Sequence, residues 1–345
     1  MPQKTLNKWL GLKPKNETKI KKYFYIDWGS EYIPKNAVWL NRKPENVNFE
    51  HTIKWDKLRD GFKFVLCGYF PNVEDQYIIS KERKYKNTSY IKSHLQKTVR
   101  RMEDLIALQT ASHFIHMDIV AFLRRLPIIM LEDVYLNISM NNLVWLMVAF
   151  SSTKFTMKKY IIEYLLGVVY HLVTTKKADV LSNNYLGITN DLVHFDKYNK
   201  LSTDECSLMY SSTLRKAYGG MKVDMEMIDK YLLKWYSRFT EHEAEGISYK
   251  DDVLYAGINP IQDNMSDLIL DKWILAAVDF HCSDLLTYIK KKYNYFTEDE
   301  LRRIIWHSLS CKNKRIVQGN PFKKEFKRIK EFVTNVQRYL LMRNH

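Results

Sequence analysis

Adjacent carboxylates, histidine clusters and glycine-rich loops are the residue patterns from which catalytic sites are commonly built, and the chain contains a few candidates. Glu132 and Asp133 stand side by side directly after the apolar run LPIIML. Such a pair can hold a divalent metal for nuclease chemistry. Arg124 and Arg125 lie about two helical turns upstream, and the four residues are expected to form a structural ion-pair network rather than a catalytic centre. The phrase HFIHMD places His113 and His116 at i, i+3 with Asp118 close by, and DFHCSD gathers Asp279, His281, Cys282 and Asp284. A metal site wants two ligands on one helical face plus a distant third or fourth. Helical spacing turns the second phrase's ligands in different directions, and both phrases are expected to be satisfied core or rim residues. No metal and no cofactor are expected.

Phosphate-handling chemistry is excluded in its commonest form. The chain has no G-x-x-x-x-G-K-[ST], and its single Gly pair, Gly219–Gly220, precedes Met221 and Lys222. The backbone amides that cradle phosphates in P-loop enzymes are therefore not encoded. H-E-x-x-H, G-x-S-x-G and EF-hand loops are absent too. The expectation is a protein that binds rather than catalyses.

What it would bind is suggested by charge. Across 345 residues the formal net charge is +15. Residues 1–22 carry +6, residues 81–101 carry +7 and residues 312–345 carry +8, which leaves the rest of the chain at −6. Clustered cations of this kind release counterions from a phosphate backbone. The candidate DNA contacts are Lys81, Arg83, Lys84, Lys86, Lys97 and Arg101 in the middle stretch, and Lys323, Lys324, Lys327 and Arg328 in the last. A membrane is not expected as partner. The longest uninterrupted apolar run is Leu143 to Phe150, far short of a span, and the N-terminus lacks the apolar region of a signal peptide. Four widely separated cysteines with no C-x-x-C favour a reducing, intracellular setting, such as a nucleus or a viral replication compartment.

The first ten residues are more specific. Gln3-Lys4-Thr5-Leu6-Asn7-Lys8-Trp9-Leu10 resembles the PIP box, Q-x-x-h-x-x-a-a, by which replication and repair proteins dock on a PCNA-like sliding clamp. The resemblance implies that a single tight turn gathers Leu6, Trp9 and Leu10 into an apolar plug, while Gln3 fills a small polar pocket. Leu10 departs from the pattern, which usually has a second aromatic there.

The elements that must position these residues divide the chain in four. Residues 1–22 form a polar, basic tail. Residues 23–88 contain short β-branched and aromatic runs (AVWL, FKFVLCGYF, QYIIS) punctuated by Pro and Gly, a small α+β subdomain. From Ser89 the period becomes helical, with Ile91, Leu95, Val99, Met102 and Ile106 on one face of a helix spanning 91–106, and Thr88 or Ser89 as its N-cap. Helices are expected over 117–126, 141–151, 156–174, 205–217, 223–240, 266–289, 297–308 and 321–341, with breaks at Pro127 and Gly219–Gly220. The fold class is mainly α: a helical domain over 89–310, followed by a basic amphipathic helix within 311–345. In that last helix Phe322, Phe326, Ile329, Val333, Val336 and Leu340 form the apolar stripe.

Three blocks within 86–180 resemble the C-terminal helical region of RarA/MgsA-type ATPases, the relatives of the Werner-helicase-interacting protein. The first is Ser93, Leu95, Lys97, Arg100 or Arg101, Asp104, Ala107, Leu108 and Ala111. The second is Arg124, Arg125, Leu126, Ile129, Glu132, Asp133 and Leu136. The third is Leu165, Val169, Tyr170, Leu172 and Lys177. The resemblance implies a clamp-loader collar-like fold over 89–180, with self-association into a homo-oligomer, acting at replication forks without the ATPase module. Together these features lead to a non-enzymatic DNA replication or repair accessory protein that holds a sliding clamp and DNA. The competing expectations are a structure-specific nuclease using the Glu132–Asp133 pair, and a purely structural assembly protein.

Overall fold

Alternation of apolar residues near the N-terminus and the 3.6-residue period after it produce, among the described residues, a small sheet followed by ten α-helices. The computed structural model describes residues 22–29, 34–54, 63–72, 87–181, 198, 200–241, 247–250, 273–317 and 319–344. Strands β1 (Lys22–Asp27), β2 (Val38–Leu40), β3 (Phe49–Lys54) and β4 (Lys63–Tyr69) form one mixed sheet in the order β2-β1-β4-β3. β1 runs parallel to β4, with Phe24 opposite Leu66, and both edge strands are antiparallel to their neighbours.

The helices are α1 (Thr88–Arg100), α2 (Asp104–Met117), α3 (Ile119–Asp133), α4 (Ser139–Ser152), α5 (Lys159–Thr174), α6 (Thr203–Ala217), α7 (Lys222–Glu241), α8 (Leu285–Lys292), α9 (Glu298–Ile305) and α10 (Lys323–Arg343). The mainly α class expected from the periodicity is what the structure shows. No helix among the described residues is long and apolar enough to cross a membrane.

The sheet and the helices share one hydrophobic core. Phe24 stacks on Trp39 with ring centroids 4.5 Å apart. Trp145 of α4 donates its indole N–H to the carbonyls of Phe24 and Cys67, each at 3.0 Å. Asn142 and Ser207 accept the backbone N–H groups of Ala37 and Trp39. Buried strand-edge donors thus find side-chain acceptors on α4 and α6, which fixes how the sheet docks.

Local signals explain several helix ends. Capping boxes open α6 (Ser202 with Glu205) and α9 (Thr297 with Glu300). Gly219 and Gly220 both have positive φ, which ends α6 where the sequence places a break. Four expectations need correction. Asn87, not Thr88 or Ser89, caps α1, accepting from the N–H groups of Ser89 and Tyr90. The helix expected over 91–106 is two helices, parted at Met102, whose φ is 54°. Pro127 does not break the chain but lies inside α3, buried with Leu126 and Ile128. The helix expected over 266–289 is, from Trp273 onward, a short 3₁₀ turn at Leu275–Ala277 and then α8.

Candidate nucleic-acid interface

The described cations include an inward-facing set and an outward-facing set, and the difference decides which can meet a partner. The inward set is built at the C-terminus of α1. Arg100 is buried. Its Nε donates to Asp133, Nη2 to Glu132 Oε1 at 2.5 Å, and Nη1 to the Ser310 carbonyl at 2.7 Å. Gln96 donates to both carboxylates, at 2.7 and 2.9 Å, and accepts from Arg125. Arg125 also reaches Asp224 Oδ2 at 3.3 Å. Arg124 instead donates to the carbonyls of Tyr218 and Gly219, at 3.3 and 3.2 Å. Glu132, Asp133 and Arg125 therefore do share an internal network, but Arg124 and Arg125 do not pair with the two acids directly. Arg100, one turn from Gln96, takes that role.

This arrangement is unsuited to nuclease chemistry. Burial pushes the Asp133 carboxyl up to about 6, while the charge of Arg100 opposes the shift. Each of the two carboxylates is already committed to the Arg100 fork and to Gln96. Among the described residues no three His, Cys, Asp or Glu side chains gather where they could hold a metal ion. In HFIHMD, Asp118 caps α3 through the Ala121 N–H and His116 Nδ1 bonds the Ser112 carbonyl. In DFHCSD, Asp279 is buried and His281 is exposed.

Two expected DNA contacts belong to the inward set and are corrected here. Lys97 is buried, its ammonium 3.0 Å from Asp279 Oδ2 and 3.0 Å from Ser93 Oγ. Burial pulls it below its ordinary value, with Asp279 opposing. Arg101 is half-buried and donates to the Leu309 carbonyl at 3.1 Å. Neither side chain is presented to a phosphate. Gln3, Leu6, Trp9, Leu10, Lys81, Arg83, Lys84 and Lys86 lie outside the described residues.

The outward set lies on α10 and the helices beside it. α10 forms because Ile329, Val333, Val336, Leu340 and Leu341 repeat at helical spacing and are buried in the shared core. That leaves Lys323, Lys324, Lys327, Arg328, Lys330, Arg338 and Arg343 on the faces turned away from it. None of these seven is ion-paired with an acid among the described residues. Lys327, Lys330, Glu331, Thr334, Asn335 and Arg338 line a shallow open groove on this side. α8 adds Lys290, Lys291 and Lys292, all exposed, at its last turn. Residues 285–344 carry fifteen Lys and Arg against five Asp and Glu, a net +10 out of the chain's +15.

One functional feature the charge pattern did not reveal is the tether that orients this surface. Arg315 sends its guanidinium into the last turn of α5. It donates to the carbonyls of Leu172 (2.5 Å), Val173 (3.1 Å) and Thr175 (2.8 Å), and to Val99 of α1 at 2.8 Å. Burial lowers it to about 10, and only Asp133 opposes the shift. In the sequence Arg315 reads as one more basic residue, and nothing local marks it as a helix cap.

No family model, no curated protein and no solved structure matches the chain.

Proposed function

We propose that the protein is a non-enzymatic DNA replication or repair accessory factor. It binds DNA through the exposed cations of α10 and α8, and a PCNA-like sliding clamp through Gln3, Leu6, Trp9 and Leu10. One observation carries the DNA half: the outward row Lys323, Lys324, Lys327, Arg328 and Lys330, unpaired among the described residues, on a helix whose other face is anchored in the core. Cations outnumber acids on this surface, where Glu331 lies among Lys327, Lys330 and Arg338, and a polyanion relieves the excess of like charge. The clamp half rests on the N-terminal peptide pattern. The nuclease alternative loses support because its carboxylates are engaged by Arg100 and Gln96.

The test measures DNA affinity against salt for the full chain and for Lys323→Gln/Lys324→Gln/Lys327→Gln/Arg328→Gln. Log affinity should fall linearly with log salt, and the variant's slope should flatten by about 0.9 for each duplex phosphate that is no longer neutralised. An unchanged slope would remove α10 from the interface. In a clamp pull-down, Trp9→Ala/Leu10→Ala should weaken capture by about 2–4 kcal/mol, the size of a buried hot spot. Undiminished capture would sink the docking peptide.

A further inference from the structure

We propose that the seam between α8 and α10 is a platform for single-stranded DNA, on which unstacked bases lie against tyrosines while flanking cations hold the phosphates. The inference rests on the DNA-binding function proposed above and names the form of DNA. The two helices meet antiparallel. Tyr288 packs against Tyr339 at 5.7 Å and its hydroxyl accepts from Arg343 at 3.2 Å. Further along, the Lys292 ammonium lies 4.4 Å over the Phe332 ring, and Tyr293 meets the same ring edge-on at 5.7 Å. Tyr293 in turn contacts Tyr295 at 6.1 Å. Aromatic rings thus stand beside a cation at two places along the seam, Phe332 with Lys292 and Tyr288 with Arg343.

Two of these rings are presented to solvent. Tyr295 is 65% exposed and Tyr339 is 51% exposed. Among the described residues, the exposed large aromatics are these two and Tyr69, at 39%. Met342, also exposed, stands three residues beyond Tyr339 on the helix. An exposed Tyr ring beside cations offers a flat π-face for stacking while its hydroxyl stays in water. Phe332 and Tyr339, seven residues apart, sit about 10 Å apart along the helix axis, far enough for separate bases.

Duplex DNA offers its phosphates but keeps its base faces stacked inside, so it can use the cations and not the rings. A single strand can use both, because every base has a free π-face and stacking tolerates any sequence. A lipid surface fits less well. An interfacial helix must bury its apolar stripe in the bilayer, and here Ile329, Val333, Val336 and Leu340 are already buried in the protein core.

The experiment measures fluorescence anisotropy of a labelled dT20 and of a 20-base-pair duplex at one salt concentration. It compares the full chain with Tyr295→Ala/Tyr339→Ala and Tyr295→Phe/Tyr339→Phe, each confirmed folded by thermal melting. The expected result is that the single strand binds more tightly than the duplex. The alanine pair should lose about tenfold or more on dT20 and little on duplex, and the phenylalanine pair should keep wild-type affinity, since the ring and not the hydroxyl carries the stacking. Equal binding of both DNAs, unaffected by the alanine pair, would overturn the platform while leaving duplex binding in place. Binding to neither would overturn this inference and the DNA-binding function together. Binding to phosphatidylserine vesicles but to neither DNA would overturn both in favour of a lipid surface.

Discussion

Replacing Lys97 separates a cation that holds the fold together from one that holds DNA. Lys97 and Asp279 face each other at 3.0 Å with side chains only 7% and 1% exposed. Lys97→Met keeps the length and most of the volume of the side chain, so little cavity is left and the change is chiefly electrostatic. It strands the Asp279 carboxylate, which then keeps the Phe280 N–H, at 2.7 Å, as its donor. The Ser93 hydroxyl is deprived of the ammonium as well. Removing one partner of a buried pair costs about 3–5 kcal/mol, a large share of the roughly 5–15 kcal/mol that holds a typical domain folded. Urea unfolding should show the midpoint falling with little change in slope. Adding Asp279→Asn removes the stranded charge and should recover at least half of the loss. The folded variant's DNA affinity should keep the wild-type salt dependence. A destabilisation under about 1 kcal/mol, or a salt slope reduced by about the 0.9 expected of one neutralised duplex phosphate, would refute the burial argument and return Lys97 to the DNA-binding set.

Arg315→Ala should cost about 2–4 kcal/mol in the same unfolding assay. It strips the donor from three carbonyls at the end of α5 and one in α1, and these regain only part of their hydrogen bonding from water. Arg315→Lys, a point charge without the planar fork, should recover less than half of that deficit. His94 gives the protein an acid sensitivity of defined sign. Its Nε2 accepts from the Ile274 N–H at 3.0 Å, so it stays neutral, and burial drives it from 6.5 down to about 3, helped by the charges of Arg101 and Lys97. The unfolded chain therefore takes up the proton first, and the stability present above pH 6.5 is lost as pH falls toward 3. The loss should reach about 2 kcal/mol at pH 5, and denaturant titrations of His94→Gln should show a correspondingly flatter stability profile between pH 6.5 and 4.

The parts of this structure that were legible in the sequence are those decided within one or two turns of chain. The apolar stripe of α10 was visible because Ile329, Val333, Val336 and Leu340 repeat at helical spacing, and each is buried. The stop after α6 was visible because Gly219 and Gly220 adopt the positive φ that glycine tolerates. The errors share a different cause. The end of α1 is set by groups far away: the Lys314 N–H donates to the Arg100 carbonyl at 2.9 Å, and Arg315 takes the Val99 carbonyl. The partner of Lys97 is 182 residues distant. Pro127 forfeits one helical hydrogen bond, yet it sits in a buried stretch whose packing favours continuing the helix, and no local rule weighs that gain. The pairing of Glu132 and Asp133 failed for the same reason. Arg124 and Arg125 were nearest in sequence, but Arg100, on a neighbouring helix, was nearest in space.

These long-range contacts bear on function because they converge on the segment just before α10. Ser310 and Leu309 offer carbonyls to Arg100 and Arg101, Asn313 donates to the Asp133 carbonyl at 2.8 Å, and Lys314 and Arg315 engage α1 and α5. Five attachments over 309–315 fix the entry of α10 against the helices that carry the Glu132–Asp133 network. The described cations of the middle basic stretch that lie near it, Lys97, Arg100 and Arg101, are thereby consumed as ties, held by carboxylates or by backbone carbonyls. Among the described residues, the α10 cations beyond Arg315 are left without an acid partner. The same residue types thus serve two purposes, and burial rather than composition assigns them. A DNA strand lying on α10 and α8 would therefore be held at a set orientation to the helical core, because residues 309–315, upstream of α10, are bonded to α1, α3 and α5.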